Sequence, residues 1–154
     1  MRTVIQDNIL EQAFIEKVDL FLKEYPDLIS KRNVDANDST VIFLTIGENG
    51  FEVKAYAQEQ RIIIYAGELV HYLIPVTKDV DETASLALGL IYDLLSPYTR
   101  LIEISVGGKI YCGEIQVNKN GVWCRTKFRC LLKWTLFRKK DEVIKQNQQL
   151  PSRI

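Results

Sequence analysis

The segment from Asp81 to Val117 constrains the fold most, because it joins an apolar helix, a helix-ending proline and a glycine-closed hairpin in one run. Residues Glu82 to Leu95 repeat apolar side chains at the spacings of three and four expected of a helix packed on a core. Pro97 excludes continuation of the helix, and Gly107-Gly108 predicts a two-residue turn between antiparallel strands. We therefore predict that a buried helix and a hairpin form the centre of the fold.

The predicted helix is apolar on more than one side. Ile91 falls on the main apolar face, and Leu86 adds apolar surface on a second face. The few positions left to meet water are Ser85, Tyr92 and Asp93. We expect Ile91 to be almost fully buried.

A two-residue turn would also fix the register of the hairpin. The expected cross-strand pairs keep the apolar side chains on one face of the ribbon. They are Val106 with Lys109, Ile104 with Tyr111, Glu103 with Cys112 and Ile102 with Gly113.

The N-terminal part predicts a surface helix followed by a four-stranded meander. The helix runs from Asn8 to Tyr25, with Asp7 or Asn8 as its cap, and Pro26 ends it. The polar stretch Lys31 to Thr40 is the one linker-like segment. Four strands separated by turns follow: Val41 to Ile46, Phe51 to Gln58, Arg61 to Ala66 and Leu69 to Ile74.

The segment Val122 to Lys140 alternates with period two, which indicates an extended strand. Because strands usually span about 5 or 6 residues, we expect a bend or bulge near Arg129 to Leu132. The even-numbered side chains would pack inward. The odd-numbered ones would form a basic stripe on the outer face beside Trp123: Arg125, Lys127, Arg129 and Lys133.

The whole chain is expected to form an α+β fold. Its parts are an N-terminal helix, a four-stranded antiparallel meander, a second buried helix, then a hairpin and a long bent strand that extend an antiparallel sheet. Residues 141–150 fit either a short helix or an edge strand, and 148–154 are expected to be loosely held. A length of 154 residues with 47% hydrophobic residues predicts one domain.

The net charge of zero conceals an uneven distribution. Residues 1–108 hold 9 Lys and Arg against 17 Asp and Glu, a balance of −8, and residues 109–154 hold 11 against 3, a balance of +8. One interpretation is that the two parts neutralise each other within the fold. The other is that a charged surface attracts a partner of opposite charge.

The expected location is the cytoplasm, without a membrane anchor. An acidic residue at position 7 interrupts the N-terminus before a signal-peptide core can form. No apolar run approaches the ~18 residues that a spanning helix needs. Three cysteines fit reduced thiols better than a disulfide framework.

Few side chains offer catalytic chemistry. His71, the one histidine, stands between Leu69 and Leu73 on a predicted strand, where a hydrogen-bonded sheet histidine is favoured over a general base. Cys112 is expected to be a small buried thiol rather than a nucleophile. No metal-binding, cofactor-binding or phosphate-binding motif occurs. We predict no catalytic residue, metal or cofactor.

Two surfaces are candidates for binding. The basic stripe with Trp123 has the composition that holds phosphates and single-stranded bases, although its side chains could instead pair with acids or meet solvent. The first helix has an acidic side, made by Glu11, Glu16, Asp19 and Glu24, which could meet a basic protein or simply be solvated.

The second half of the chain resembles a group of small uncharacterised bacterial proteins. The residues that carry this resemblance are Thr99-Arg100-Leu101, Gly107 to Tyr111, Trp123, Phe137 to Lys140 and Gln146-Asn147. The general plan is similar to that of bacterial immunity proteins, which bind and neutralise toxins. The group of uncharacterised proteins brings no established activity to this chain. We predict a non-enzymatic protein-binding domain with a toxin as partner, because catalytic groups are few and the N-terminal part is acidic. A nucleic-acid-associated module is the alternative, and an enzyme is the third.

Overall fold

The structure is a computed structural model, and it describes residues 2–35, 38–43, 49–131, 140–148 and 150. Two helices and nine strands lie in this part of the chain. In chain order they are α1 (Arg2–Glu24), β1 (Ser30–Asp35), β2 (Asp38–Phe43), β3 (Val53–Gln58), β4 (Arg61–Ala66), β5 (Val70–Pro75), α2 (Val80–Leu95), β6 (Thr99–Val106), β7 (Lys109–Lys119), β8 (Val122–Cys130) and β9 (Asp141–Gln146).

The strands form two antiparallel sheets. Sheet A is a meander in the order β1-β2-β3-β4-β5, and sheet B has the order β8-β7-β6-β9. Strands β7 and β8 of sheet B contact β5, the last strand of sheet A. The predicted α+β class, with an N-terminal helix, an antiparallel meander, a second helix and a further antiparallel sheet, is confirmed.

Helices α1 and α2 lie side by side against one face of sheet A, on strands β3 and β4. They run in the same direction, because Lys17 pairs with Asp81 near the start of α2, at 3.1 Å, and Tyr25 meets Tyr92 near its end, at 5.7 Å between ring centroids. Side chains between the helices and the sheet, including Phe14 of α1 and Ile64 of β4, are fully buried. The same buried cluster includes Leu101 and Ile115 of sheet B and Leu150.

Helix α1 begins earlier than predicted. It starts at Arg2 rather than Asn8, so neither Asp7 nor Asn8 can be its N-cap. The apolar period of residues 10–21 marked the buried face correctly, but it did not mark the helix start, because the first turns have no strong cap signal. Helix α1 ends at Glu24, two residues before Pro26, as expected.

Helix α2 is capped by Asp79, whose carboxylate accepts a hydrogen bond from Asp81 N at 2.9 Å. Ile91 is 0% exposed, which confirms the central burial prediction. Two neighbours were predicted wrongly: Leu86 is 60% exposed and Tyr92 is buried. The helix therefore has one buried face, and Tyr92 lies on it because the rings of α1 pack against it.

A hairpin occupies the stretch that was predicted to be a linker. Strand β1 pairs with β2 from Ser30–Phe43 to Asp35–Asp38, so sheet A has five strands rather than four. Strand β1 lies at the sheet edge, where polar side chains such as Lys31 can stay in water and hide the strand signal. The predicted Val41 to Ile46 strand is described only as far as Phe43, and 44–48 lie outside the described residues.

The middle of sheet A agrees closely with the sequence pattern. Strand β4 has the predicted bounds, and it lies between β3 and β5. Along β3 the side chains of Val53 and Ala55 are buried, whereas Lys54 and Tyr56 point to the other face. Period-two alternation therefore located both the strand and its buried side.

The hairpin β6–β7 contains a bulge that the predicted register lacks. Val106 faces Lys109 as expected, but Ile104 faces Cys112 because Tyr111 has no partner on β6. Every pair beyond this point is shifted by one residue. Glu103 accordingly faces Gly113 rather than Cys112, and Ile102 faces Glu114 rather than Gly113.

Glycines allow sheet B to approach sheet A closely. A Cβ atom at Gly113 of β7 would lie only 2.8 Å from Val70 Cγ2 of β5. Gly67, in the β4–β5 turn, has a φ of +63°, and a Cβ there would lie 2.5 Å from Leu101 Cδ2. Larger residues at either position would push the two sheets apart.

The end of the chain is tied to sheet A and to α2. Residues 141–146 form edge strand β9 rather than a helix. The buried Asn147 side chain accepts a hydrogen bond from Phe51 N and donates to the carbonyl oxygens of Phe51 and Leu94. Leu150 is 3% exposed, although it falls within the segment 148–154 that was expected to be loosely held.

The cysteines are not all reduced thiols, contrary to the sequence prediction. Cys112 of β7 and Cys130 of β8 face each other in the sheet register and form a disulfide bond. Cys124 is the free thiol. The pairing was missed because the two cysteines become neighbours only through the β7–β8 register, which the chain pattern does not display.

Candidate binding surfaces

A bulge in β8 divides the predicted basic stripe between the two faces of sheet B. Lys127 pairs with Ile115 of β7, but Arg125 pairs with the next residue, Gln116, and Thr126 is left between them. Arg125 therefore shares a face with Gln116, and Lys127 shares the opposite face with Ile115. The prediction that even-numbered side chains of β8 pack inward is wrong for the same reason, and Phe128 is exposed.

Arg125 is held by a carboxylate on the outer face of sheet B. Its guanidinium donates to Glu114 Oε2 at 2.9 Å and lies 4.7 Å from the centroid of the Phe128 ring. The hydrogen bond from Arg125 lowers the pKa of Glu114 below its usual value, against the opposing effect of burial. Arg125 is thus part of an internal ion pair at the sheet surface.

Trp123 lies beside Arg125 on this outer face, next to a second arginine. The Arg100 guanidinium lies 4.3 Å from the centroid of the indole, and Arg100 Nε donates to Gln116 Oε1 at 2.8 Å. Cation–π contacts of this kind contribute about 0.5–1 kcal/mol at exposed sites. Trp123 is therefore already stacked by a partner from its own sheet.

Lys127 and Arg129 turn towards sheet A. The Lys127 ammonium lies 5.2 Å from the centroid of the Tyr72 ring, and Arg129 donates to the imidazole of His71. Burial raises the pKa of Tyr72 to about 12, so its phenol stays neutral near pH 7. His71 of sheet A thus has a hydrogen-bond partner on β8 of sheet B.

Lys133, the fourth basic residue of the predicted stripe, lies outside the described residues. Within the described part of the chain, no group of three or more His, Cys, Asp or Glu side chains could hold a metal ion. The same part contains no helix that is both long and apolar enough to cross a bilayer.

The predicted acidic residues lie along α1, apart from the basic ones. Asp19 forms an ion pair with Arg32 of β1, and Glu16 accepts a hydrogen bond from Gln12 at 3.1 Å. Glu11 is half-buried and Glu24 is exposed. The structure brings none of these carboxylates into contact with the basic side chains of β8 among the pairs it describes.

A groove between α1 and α2 was not predicted from the sequence. Its volume is about 340 Å³, and Leu20 at its edge is 64% exposed. The sequence contained a signal for an apolar surface site, because Leu20 is an apolar residue on the same side of α1 as the charged Glu16 and Lys23. The lining residues are Lys17, Leu20, Phe21, Glu24, Ser85, Leu88 and Gly89.

A larger depression, of about 610 Å³, lies where the end of α2 meets the β7–β8 turn. Tyr98, Asn118 and Lys119 contribute to its walls. None of the residues predicted as a binding site lines it, whereas Glu24 lines the groove between the helices.

Comparison of the chain with models of protein families, with curated proteins and with solved structures finds no match.

Proposed function

We propose that this chain is a non-enzymatic protein-binding domain of the immunity type, which neutralises a toxin by holding it against the outer face of α1 and α2. The observation that carries the proposal is the groove between these helices, which the exposed Leu20 lines. The resemblance of the general plan to bacterial immunity proteins points to the same class of function.

The leucines are the apolar part of this surface. Leu20 is 64% exposed and Leu86 is 60% exposed, one on each helix. Leu86 lies outside the groove, whereas Leu20 of α1 and the half-buried Leu88 of α2 line it. Single exposed leucines are common, but leucines from both helices in a concave groove offer an anchor site for an apolar side chain of a partner. Burial of such side chains contributes about 25 cal/mol per Å² of apolar surface removed from water.

Gly89 supports the assignment of the groove. It lies inside α2, where glycine destabilises a helix by roughly 0.5–1 kcal/mol relative to alanine. Among the described residues, no heavy atom lies within 4 Å of the position that a Cβ would occupy. The chain itself therefore gives no packing reason for a glycine here, and close approach of a partner would provide one.

The charges around the groove favour a basic partner. Glu24 lines the groove, and other exposed carboxylates of the same helices include Glu16 on α1 and Glu82 on α2. The Lys17 ammonium in the groove is paired with Asp81 at 3.1 Å. Carboxylates on both helices would accelerate association with a basic toxin surface and select against acidic partners.

Purification from the native host tests the proposal. The tagged chain is isolated at low and at moderate salt, and a stoichiometric partner is expected, with the protein encoded by the adjacent gene as the first candidate. Leu20→Asp should weaken binding at least tenfold, because a carboxylate would be buried without a partner. Val122→Asp is the matched control, since Val122 is 63% exposed on β8 and should not affect binding.

Growth provides the second readout. Loss of this chain should inhibit a host that retains the adjacent gene, and Leu20→Asp should fail to restore growth while Val122→Asp restores it. If no stoichiometric partner copurifies, and if deletion of the adjacent gene does not change the effect of losing this chain, the proposal is wrong.

The other two candidate functions have less support. The nucleic-acid alternative through the predicted stripe requires its cations on one face, and the β8 bulge separates Arg125 from Lys127 and Arg129. Within the described residues, no cluster of groups favours an enzyme over a binding domain.

A further inference from the structure

Sheet A has a second face, on the side opposite the two helices. On β3, Val53 and Ala55 are buried towards α1 and α2, so Lys54 and Tyr56 point the other way. No described helix or strand packs across this second face, although β8 borders it at β5. It is an open sheet surface of the part of the chain that the structure describes.

Aromatic rings from three neighbouring strands lie next to one another on this face. The rings of Tyr56 and Tyr65 are nearly parallel, with an interplanar angle of 16° and centroids 6.3 Å apart. His71 of β5 follows at 5.5 Å from Tyr65. The three side chains make a continuous row of π surfaces across β3, β4 and β5.

Cations lie around these rings. Lys31 pairs with Ile42, Ile42 with Lys54, and Lys54 with Tyr65, so Lys31 and Lys54 share the face with the rings. The Lys54 ammonium lies 5.9 Å from the Tyr56 centroid, and Arg129 of β8 donates to His71 at the other end of the row.

Acidic side chains also border this face. Arg61 also points to it, and the carboxylate of Glu59 lies 3.5 Å from the Arg61 guanidinium. Glu52 is exposed at one margin. Lys54 and Arg129 contact the rings directly, one at each end of the row.

We propose that this open face of sheet A binds single-stranded nucleic acid. Bases stack on aromatic side chains without regard to sequence, and phosphates are attracted to the surrounding Lys and Arg side chains. A duplex would have no base faces free to stack on Tyr56 and Tyr65. The surface therefore fits a single strand that runs across β3, β4 and β5.

This face is separate from the groove between the helices, because the two lie on opposite sides of sheet A. It also differs from the stripe predicted from the sequence, since Arg129 belongs to it and Arg125 does not. Nucleic-acid binding on this face can therefore be confirmed or refuted independently of the toxin-binding proposal.

Fluorescence anisotropy with a labelled, mixed-sequence RNA or DNA strand of about 12 nucleotides tests the proposal at ~50 mM salt. Tyr65→Leu keeps an apolar side chain but removes the ring, and affinity should fall about five- to 150-fold. Lys54→Ala should reduce the magnitude of the slope of log affinity against log salt by about 0.7. Because Lys54 lies at the sheet surface, this variant keeps the test valid even if Tyr65→Leu does not fold.

Arg125→Ala is the matched control. It removes one positive charge from the outer face of sheet B, and it should leave oligonucleotide affinity and salt dependence unchanged. The proposal is overturned if single strands do not bind above background, if a duplex of the same sequence binds as tightly, or if Arg125→Ala reduces binding as much as Lys54→Ala.

Discussion

Sheet A buries one face beneath two helices, whereas sheet B contacts α2 through β6 and contacts β5 through β7 and β8. Under the helices, side chains such as Val41, Ile62 and Ile64 are fully excluded from water. Sheet B has fewer buried apolar side chains, and its ladders are interrupted by two β-bulges. An ion pair between the buried Glu103 and the partly exposed Lys145 links β6 to β9, and a disulfide links β7 to β8.

This difference indicates which contacts should determine the stability of each sheet and which surfaces are free for binding. Apolar burial fixes sheet A, so its core tolerates little change in volume. Polar and covalent contacts fix sheet B, so single exposed charges there should matter little to stability. The candidate binding surfaces lie on the faces of the helix and sheet A unit that the core leaves free.

The largest effect is expected in the helix-covered core. Ile91→Ala should lower the free energy of unfolding by about 2–5 kcal/mol, because the site loses apolar contacts and retains a cavity. Urea denaturation measures the change. Leu86→Ala, on the exposed side of the same helix, should cost less than ~0.5 kcal/mol. Equal costs would mean that the buried face of α2 has been assigned wrongly.

The second largest loss of stability is expected from removal of the disulfide in sheet B. Replacing Cys112 and Cys130 by serine opens a loop of sequence separation 18 and should cost about 3 kcal/mol. Thermal unfolding of the variant should match that of the wild type in reductant. Cys124→Ser is the control and should not respond in this way. An unchanged wild-type melting temperature on reduction would contradict the pairing.

Asn147 joins the two regions, and its loss should have an intermediate effect. Asn147→Ala leaves Phe51 N and the carbonyl oxygens of Phe51 and Leu94 without their partner, which should cost about 1–3 kcal/mol. Chemical denaturation measures the cost, with Gln148→Ala at the adjacent exposed position as control. A neutral Asn147→Ala would show that the end of the chain is not held by this side chain.

The smallest effect concerns the ion pair between Glu114 and Arg125. The pKa of Glu114 is lowered in the folded state, so its stabilisation is present above the unfolded pKa and is lost as pH falls through the folded value. Because Arg125 is 60% exposed, water screens the pair, and the effect should be the smallest of the four. Glu114→Gln should therefore flatten the stability profile below about pH 4.3. An unaltered acid profile would contradict the assignment.

The sequence predicted the region that apolar periodicity controls. Val53 and Ala55 alternate with Lys54 and Tyr56, and Ile91 lies on the main apolar face of its helix, so both sheet A and α2 were located correctly. Edge strand β1 escaped prediction because an edge strand can remain polar on both faces.

Sheet B could not be predicted to the same depth because its bulges break the relation between residue parity and face. One unpaired residue, Tyr111 on β7, shifts the hairpin register, and another, Thr126 on β8, separates Arg125 from Lys127. A bulge depends on the pairing of two strands, so it leaves little trace in either strand alone. The row formed by Tyr56, Tyr65 and His71 likewise depends on cross-strand register.

Amide hydrogen exchange, measured with and without reductant, tests most directly the claim that apolar burial holds sheet A while covalent and polar contacts hold sheet B. Reduction of the Cys112–Cys130 bond should accelerate exchange of the β8 amides that pair with β7, and the amides of β4 should keep their protection. Uniform acceleration through both sheets, or loss of protection in β4 before β8, would contradict the account.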